Sequence, residues 1–360
     1  MLKISHAADL HLDSPFSGLP PELAALRRGE QRLLLDDLLA LTVKEQADLV
    51  LLPGDLLDGE RVYKNTAQAL ARTLGQMPCP VFIAPGNHDP FTADSVYATV
   101  EFPENVHIFS GEVEKVSLPE KNCVVYGFGY PTAHVDASPL ETLRVEEGED
   151  TVKLMCLHAD LTPGSPYCSI TPAAIAQSGL TYLALGHIHG HSGLQIAGET
   201  FYAYPGCPEG RGFDETGEKG VLVLQVEPRR VESRFVPLCR RRYERLKVDV
   251  TGRDPLSAVL AALSGDTTLH FYRIALTGES EGVDMAALKA ALSPQFAALD
   301  LRDETRLPAD LWAKRGTDDL TGQFLEKMYQ LCQLQPDNDT LLLAARFGLA
   351  ALEGGEDVAP

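Results

Sequence analysis

The chain has 360 residues, of which 44% are hydrophobic and 23% are charged, proportions that are ordinary for a globular protein. Its formal net charge of −20 argues against indiscriminate coating of DNA, although it does not exclude a nucleic-acid substrate. No stretch approaches the roughly 20 consecutive apolar residues that a membrane span needs, so no membrane association is expected.

The N-terminal segment and the cysteines predict a cytoplasmic protein. The first residues, MLKISHAADLHLD, have neither a charged lead nor a long apolar run, so we predict no signal peptide there. The seven cysteines are scattered and form no CxxC pair. An odd, unpatterned set of this kind indicates reduced thiols in a cytosol.

Short apolar runs alternate with helical patterns in the first 190 residues. The runs are LKISHAADL, ADLVLLPGDLL, PVFIAPGNHD, NCVVYGFGY, VKLMCLHADL and TYLALGHIHG. Helix-like segments at 31–46 and 65–77 separate the first three of them. Strands separated by helices in this way predict an α/β domain with buried sheets.

The pattern changes in the second half of the chain. Consecutive strand candidates occupy about 195–250, a second α/β segment follows at 247–303, and the residues after 308 have helical patterns. The basic run CRRRYERLK marks a boundary near residue 240. We therefore predict three parts: a main domain at 1–240, a smaller α/β domain at 241–307 and a helical segment at 308–360.

Five polar motifs each follow an apolar strand candidate. They are DLH at 9–11, GD at 54–55, GNHD at 86–89, HAD at 158–160 and GHIH at 186–189. Five of the ten histidines lie inside these motifs. Because loops at strand ends of α/β sheets hold polar groups without breaking the ladder, we expect the motifs to converge on one cleft.

The residue types in the motifs are those of a two-metal centre. Two cations about 3.5–4 Å apart can clamp the attacking and leaving oxygens of phosphoryl transfer. Such a centre needs a bridging carboxylate and neutral imidazoles, and the carboxylates suit hard ions such as Mn²⁺ while imidazole suits transition metals. The motifs therefore predict a metal-dependent phosphoesterase with two divalent ions, for which we expect manganese.

In this order the motifs resemble those of the calcineurin-like metallophosphoesterase superfamily. The nearer resemblance is to the SbcD/YhaO-like DNA repair exonucleases, in HAADLHLDSPF, LLPGDLLD, APGNHDP, LGHIHGH and YPGCPEGRGFDE. It covers residues 1–240, and the segment 240–310 is similar to the family's small capping domain. The resemblance implies a metallophosphoesterase β-sandwich flanked by helices, with an α/β cap and a helical C-terminal segment.

The resemblance also implies a role for each motif residue. Asp9, His11 and His189 would bind the first metal, and Asp55 would bridge both metals. Asn87, His158 and His187 would bind the second metal. His88 would lie beside the scissile phosphate as a catalytic residue, and Asp89 would orient His88.

Several other polar residues allow two interpretations. Arg211 is a candidate for binding substrate phosphate, but a structural salt bridge fits it equally well. Asp13 and Asp58 are candidates for supporting the metal ligands or for solvated turns. The arginines at 240–242 could form a phosphate track, although a solvated strand face is the default interpretation.

Three functions remain open from the sequence. The leading one is a DNA exonuclease or endonuclease in DNA repair that works beside an SMC-like coiled-coil ATPase, as the resemblance implies. The resemblance also allows a homodimer. The second is a small-molecule phosphatase or cyclic-nucleotide phosphodiesterase, since one metal site serves many substrates. The third is an architectural subunit with weak catalysis, which the complete set of motif residues disfavours.

Overall fold

The computed structural model describes residues 1–59, 62–141, 143, 145–146, 148–280, 282–306, 311–335 and 338–352. The strands are β1 (Leu2–His6), β2 (Leu49–Leu52), β3 (Val81–Ile83), β4 (Val106–Ile108), β5 (Glu114–Leu118), β6 (Cys123–Phe128), β7 (Val152–His158), β8 (Tyr182–Gly186), β9 (Gln195–Ala197), β10 (Thr200–Ala203), β11 (Gly220–Glu227), β12 (Arg230–Pro237), β13 (Tyr243–Asp249), β14 (Phe271–Thr277) and β15 (Ala298–Asp303). The helices are α1 (Pro21–Glu45), α2 (Lys64–Gly75), α3 (Val96–Thr99), α4 (Pro172–Gln177), α5 (Pro255–Ala262), α6 (Met285–Leu292), α7 (Leu320–Leu334) and α8 (Asp339–Leu352).

Two mixed sheets of six strands each contain the strands that precede the five motifs. The first sheet has the order β12-β11-β1-β2-β3-β4. Strands β1 to β4 run parallel to one another, β11 pairs antiparallel with β1, and β12 pairs antiparallel with β11. The second has the order β5-β6-β7-β8-β10-β9, in which β6, β7, β8 and β10 are parallel and the two edge strands are antiparallel. The predicted α/β class with its β-sandwich is confirmed.

Strand β2 is apolar throughout because both of its faces are buried. In β2, Leu49 and Leu51 point into the core between the sheets, where they join Ile4 and Phe82 of the first sheet and Leu154 of the second. The alternate residues Val50 and Leu52 pack with leucines of α1 and α2 on the outer face. Successive strand residues point to opposite faces, so a strand covered on both sides needs a continuous apolar run.

Helix α1 begins ten residues before the predicted segment at 31–46. Pro21 occupies its first turn, where a missing N–H costs nothing. The first part of the helix buries Arg27 and Gln31, which are polar, beside Ala24. The helical spacing of apolar residues in the sequence therefore does not reveal where this helix begins.

The later part of the chain contains a three-stranded sheet in the order β13-β14-β15, with α5 and α6 between its strands in sequence. The chain divides into a larger compact unit (Met1–Leu246, Ser264–Arg273 and Ser293–Asp300) and a smaller one (Lys247–Leu263, Ile274–Leu292 and Leu301–Pro360). The division at 240 and 307 stays a prediction. The predicted helical C-terminal segment is confirmed in α7 and α8, while residues 308–310, 336–337 and 353–360 lie outside the described residues. Among the described helices, none is long and apolar enough to cross a bilayer.

Candidate metal centre

The two sheets bring the five motifs together at the carboxyl ends of their parallel strands. DLH follows β1, GD follows β2 and GNHD follows β3 in the first sheet. In the second sheet, His158 ends β7 and the GHIH histidines follow β8. The predicted convergence of the motifs on one cleft is therefore present in the fold, with strand ends from both sheets contributing.

Four residues of the motifs have backbone conformations that L-amino acids rarely adopt. The φ angles are +55° at Asp9, +45° at His11, +51° at Asp55 and +109° at His187. Backbone hydrogen bonds hold the loops in place, from Asp9 N–H to the Gly54 carbonyl and from His11 N–H to the Asp55 carbonyl. Strained backbone of this kind concentrates at functional sites, where the surrounding structure compensates for it.

The first group of donor atoms comprises Asp9, His11 and His189. One ligand atom from each of these residues lies within 4.8 Å of the others. The Nε2 atoms of His11 and His189 are 3.1 Å apart, and Asp55 Oδ2 is 3.7 Å from His11 Nε2. Asp9 and His11 are buried and His189 is partly exposed, so the group opens toward solvent on one side.

The second group lies next to the first and comprises Asn87, His158 and His187. Asn87 Oδ1 is 2.9 Å from His158 Nε2 and 3.2 Å from His187 Nδ1, and those two nitrogens are 3.3 Å apart. Asp55 Oδ2 is 3.5 Å from His158 Nε2. Asp55 therefore lies between the two groups, and Asp9 is close to both.

Oxygen acceptors hold the outer nitrogen of three of these histidines. His11 Nδ1 faces Asp58 Oδ1 at 2.9 Å, His158 Nδ1 faces the Pro53 carbonyl at 3.0 Å, and His189 Nδ1 faces Glu215 Oε1 at 2.6 Å. Each of these nitrogens must donate its hydrogen to the oxygen, so each Nε2 of a neutral ring presents a lone pair to the interior of the site.

The inward lone pairs require a cation. Two imidazole lone pairs 3.1 Å apart, as at His11 and His189, repel each other unless a proton or a metal ion lies with them. The lone pair of His158 likewise faces the amide oxygen of Asn87 at 2.9 Å. The donor set of imidazoles, carboxylates and one amide oxygen fits divalent metal ions.

The electrostatics of His11 and His187 favour the neutral form of the ring, which is the form that binds a metal. Burial lowers the pKa of His11 to about 4, although its hydrogen bond to Asp58 opposes the shift. Burial and the neighbouring His158 lower the pKa of His187 to about 4. Burial also acts to lower the pKa of His189, but the hydrogen bond to Glu215 outweighs it and the pKa is raised. A metal ion at this ring competes with a proton.

The two buried aspartates carry the negative charge of the site. Burial raises the pKa of Asp9 to about 6, while the positive charges that His158 and His189 can carry pull it down. Burial would also raise the pKa of Asp55, but the facing His158 and His11 outweigh it and hold this pKa below its usual value. Buried carboxylates of this kind are stabilised by coordinating a cation.

His88 lies at the rim of the first group. Its side chain is 45% exposed, its ring centroid is 4.8 Å from that of His11, and its Nδ1 is 3.5 Å from Asp58 Oδ1. Its backbone N–H donates to Asp55 Oδ1 at 2.9 Å. An exposed imidazole beside a buried donor group is placed to meet a bound phosphate.

Asp89 has a different environment from the one expected. We expected it to orient His88, but its buried carboxylate accepts from the backbone N–H groups of Asp55, Leu56, Leu57 and Gly86, and from the Tyr97 hydroxyl. These bonds occupy both oxygens and fix the two loops that carry Asp55 and Asn87. The carboxylate near His88 is instead Asp58.

Arg211 links the two carboxylates that hold the outer histidine nitrogens. Its guanidinium is 3.2 Å from Asp58 Oδ1 and 3.1 Å from Glu215 Oε1. This geometry supports the salt-bridge interpretation, although the side chain is still 21% exposed. Sequence reasoning assigned no role to Glu215, although it is the last residue of the segment YPGCPEGRGFDE. A buried acid in a loop leaves no signal in the motif spacing.

The arginines at 240–242 lie apart from this centre in ion pairs. Arg240 and Arg241 contact Asp37 and Glu30 on α1, and Arg242 is 3.5 Å from Glu218. Their contacts do not support the alternative of a phosphate track, because each guanidinium already has a carboxylate partner.

The comparisons with known proteins identify the class. Residues 2–191 match the family model described as calcineurin-like phosphoesterase. The chain belongs to this family, and the expected resemblance is confirmed.

Two relatives from Bacillus subtilis are similar to this chain. The uncharacterised metallophosphoesterase YhaO is 32% identical over 273 residues, which cover 72% of this chain and 65% of YhaO. The SbcD component of the nuclease SbcCD is 22% identical over 271 residues, covering 63% of this chain and 67% of that protein. The chain thus spans just under two thirds of the length of YhaO. A solved dimetal phosphatase from Danio rerio aligns with 13% identity and a TM-score of 0.42 over 64% of this chain and 98% of that one, a likeness that carries no argument.

Proposed function

We propose that this chain is a two-metal-dependent phosphodiesterase that hydrolyses DNA. The observation that supports it most is the pair of adjacent donor groups, in which histidine lone pairs converge on both sides of Asp55. Divalent ions at such a centre polarise phosphoryl oxygens and lower the pKa of water. A site of this kind is suited to breaking a phosphoester bond.

The proposed roles follow the two groups. Asp9, His11 and His189 hold one ion, and Asn87, His158 and His187 hold the other. Asp55 lies between the two groups and would help to hold both ions. His88 meets the substrate phosphate from the open side of the first group, where its imidazole can donate a proton to the leaving oxygen or stabilise charge.

Manganese is the metal we propose. The donor set contains four imidazoles, and Mg²⁺ prefers all-oxygen coordination with retained waters. We expect chelator to inactivate the enzyme reversibly and Mn²⁺ to restore it better than Mg²⁺ in a phosphodiester assay. Equal rescue by the two ions would remove manganese from the proposal.

DNA is the substrate class that the similarity to a nuclease component favours. The further proposals rest on the same similarity: a cytoplasmic role in DNA repair, an SMC-like coiled-coil ATPase partner, and a possible homodimer. Residues 241–307 would cap the site, and α7 and α8 within 308–360 would dock the partner. Deleting 310–360 should then abolish partner binding and leave hydrolysis intact.

The test compares two kinds of substrate, DNA and a small phosphodiester. Single- and double-stranded DNA and bis-p-nitrophenyl phosphate are incubated with the Mn²⁺-loaded wild type and with His88→Ala. Cleavage of DNA by the wild type and its loss in the variant are the expected result. Hydrolysis of the small diester alone would contradict the nuclease and favour the small-molecule phosphodiesterase, an alternative that the net charge of −20 keeps open.

A further inference from the structure

A cavity of about 730 Å³ lies in the larger compact unit, outside both donor groups. Its wall includes Leu19 and Pro20 before α1, the loop Arg211–Asp214, and Arg245, Arg273 and Leu299 from β13 to β15. This volume is within the range of about 300–1,000 Å³ that is typical of small-molecule sites.

Arg211 belongs both to the wall of this cavity and to the surroundings of the metal centre. Its guanidinium contacts Asp58 and Glu215, the acceptors that hold His11 and His189. The residues that follow it, Gly212 to Asp214, line the cavity. Arg211 therefore connects the wall of the cavity to the carboxylates that hold two histidines of the first donor group.

The cavity combines cationic, aromatic and apolar groups. Arg245 is exposed and forms no ion pair with any residue that the structure describes. Arg273 pairs with Asp300 at 2.6 Å and lies 4.3 Å above the centre of the Phe213 ring. The part-buried Phe213 and Leu19 supply apolar surface. The carboxylates of Asp214 and Asp300 also line the wall, so the cationic character is concentrated at Arg245.

Arg245 contrasts with the arginines that precede it in the chain. Arg240, Arg241 and Arg242 each have a carboxylate partner. In a chain of net charge −20, an exposed guanidinium on the cavity wall that has no carboxylate partner among the described residues is suited to an anionic ligand. The ring of Phe213 on the same cavity wall suits a flat heterocycle, since bases stack on aromatic side chains regardless of their sequence.

We propose that this cavity binds one nucleotide unit next to the phosphate at the metal centre, with its base against Phe213 and its phosphate on Arg245. The proposal deepens the proposed function and rests on it. The unit can be the end of a polynucleotide strand or a free mononucleotide, because both present a base and a phosphate.

The experiment measures binding by the full, Mn²⁺-loaded chain. The probes are a fluorescent oligothymidine with phosphorothioate linkages, which slow hydrolysis, and unlabelled thymidine monophosphate measured by calorimetry. The variants are Arg245→Ala and Phe213→Leu. The matched control is Arg230→Ala, an arginine that is 70% exposed and pairs with Glu232 on β12. Metal content is measured for every variant, because the metal centre must remain loaded.

We expect each cavity variant to weaken binding at least about fivefold, as loss of a stacking or phosphate contact does, while Arg230→Ala binds as the wild type. An effect on the oligonucleotide identifies a strand end, and an effect on the mononucleotide alone identifies a free nucleotide. Equal binding by all variants, or no binding of either probe by the wild type, would overturn the proposal.

The two proposals fail separately. DNA hydrolysis by a wild type whose cavity variants bind normally would leave the nuclease standing and remove the nucleotide cavity. Cavity-dependent binding of the mononucleotide without DNA hydrolysis would leave the nucleotide cavity standing and remove the nuclease, since the cavity would then serve a small phosphodiester.

Discussion

At the scale of single residues, the orientation of the histidines proposed to bind metal depends on acceptors outside the motifs. Asp58 and Glu215 hold the outer nitrogens of His11 and His189, and Arg211 contacts both carboxylates. Outer partners of this kind fix the tautomer and direction of an imidazole ligand. The motifs predicted which side chains converge, but the acceptors come from loops whose positions only the folded chain determines.

His88 is the residue whose role separates metal binding from catalysis. We expect His88→Ala to lower the turnover of a phosphodiester at least about a hundredfold, as loss of a proton donor does, and to retain both metals. Its 45% exposure places it at the rim of the buried donors. The prediction is tested by measuring the steady-state rate and the metal content of His88→Ala and of the wild type.

The control for His88→Ala is His191→Ala, which removes an exposed imidazole that stacks on Phe235 outside both donor groups. This variant should keep its turnover. Loss of metal from His88→Ala would contradict the assigned role and make His88 a ligand.

At the scale of elements, glycines allow the loops to pack closely around the donors. A Cβ at Gly86 would lie 2.3 Å from Asp55 Oδ1 and 2.8 Å from the Asp55 nitrogen. Gly54 has a φ of +84°, and a Cβ there would lie 2.5 Å from His158 Nδ1. The glycines in GD and GNHD are therefore required by the approach of one loop to another.

We expect Gly86→Ala to displace Asp55 and to weaken metal binding strongly. The measurement is Mn²⁺ affinity by calorimetry, together with the thermal midpoint. Gly190→Ala is the matched control, because a Cβ at that exposed glycine of the GHIHG segment meets nothing within 4 Å. Equal affinities for the two variants would show that the close packing at Gly86 is not required.

The elements also show where sequence reasoning succeeds and where it fails. The apolar runs predicted β1, β2, β3, β7 and β8 because strands buried on both faces are rich in apolar residues. The front of α1 was missed because it buries Arg27, whose guanidinium pairs with Glu209 at 2.6 Å and donates to the Gly210 carbonyl at 2.8 Å. A buried ion pair joins residues far apart in the chain, and no local pattern encodes such a partner.

At the scale of the whole molecule, His6 connects the two sheets. Its Nε2 donates to the Leu185 carbonyl at 3.2 Å, and its Nδ1 accepts from the Tyr182 hydroxyl at 2.9 Å. Burial lowers its pKa from 6.5 to about 3. The sequence alone suggested only that His6 is packed or paired in the core, and the contacts show that its partners come from the second sheet.

The lowered pKa of His6 makes the folded state sensitive to acid. Between pH 6.5 and 3 the unfolded chain binds a proton at His6 that the folded chain does not, so the free energy of unfolding falls as pH falls. The His6 contribution to that loss is about 2 kcal/mol between pH 6.5 and 5. We expect the free energy of unfolding of His6→Gln, measured by urea denaturation, to fall correspondingly less over this pH range.

The comparison uses metal-free protein, so that metal release does not enter the pH dependence. His134→Gln, which replaces an exposed histidine, should behave as the wild type. If the free energy of unfolding depended on pH in the same way for the wild type and for His6→Gln, the sign and the origin of this effect would be contradicted.

The two-metal centre is tested most directly by metal stoichiometry. After equilibration with Mn²⁺ and removal of free ions, elemental analysis should give about two ions per wild-type chain and at most about one for Asp55→Asn, because Asp55 lies between both donor groups. Circular dichroism would verify that the variant is folded. Fewer than two ions in the wild type, or two retained by Asp55→Asn, would contradict the account.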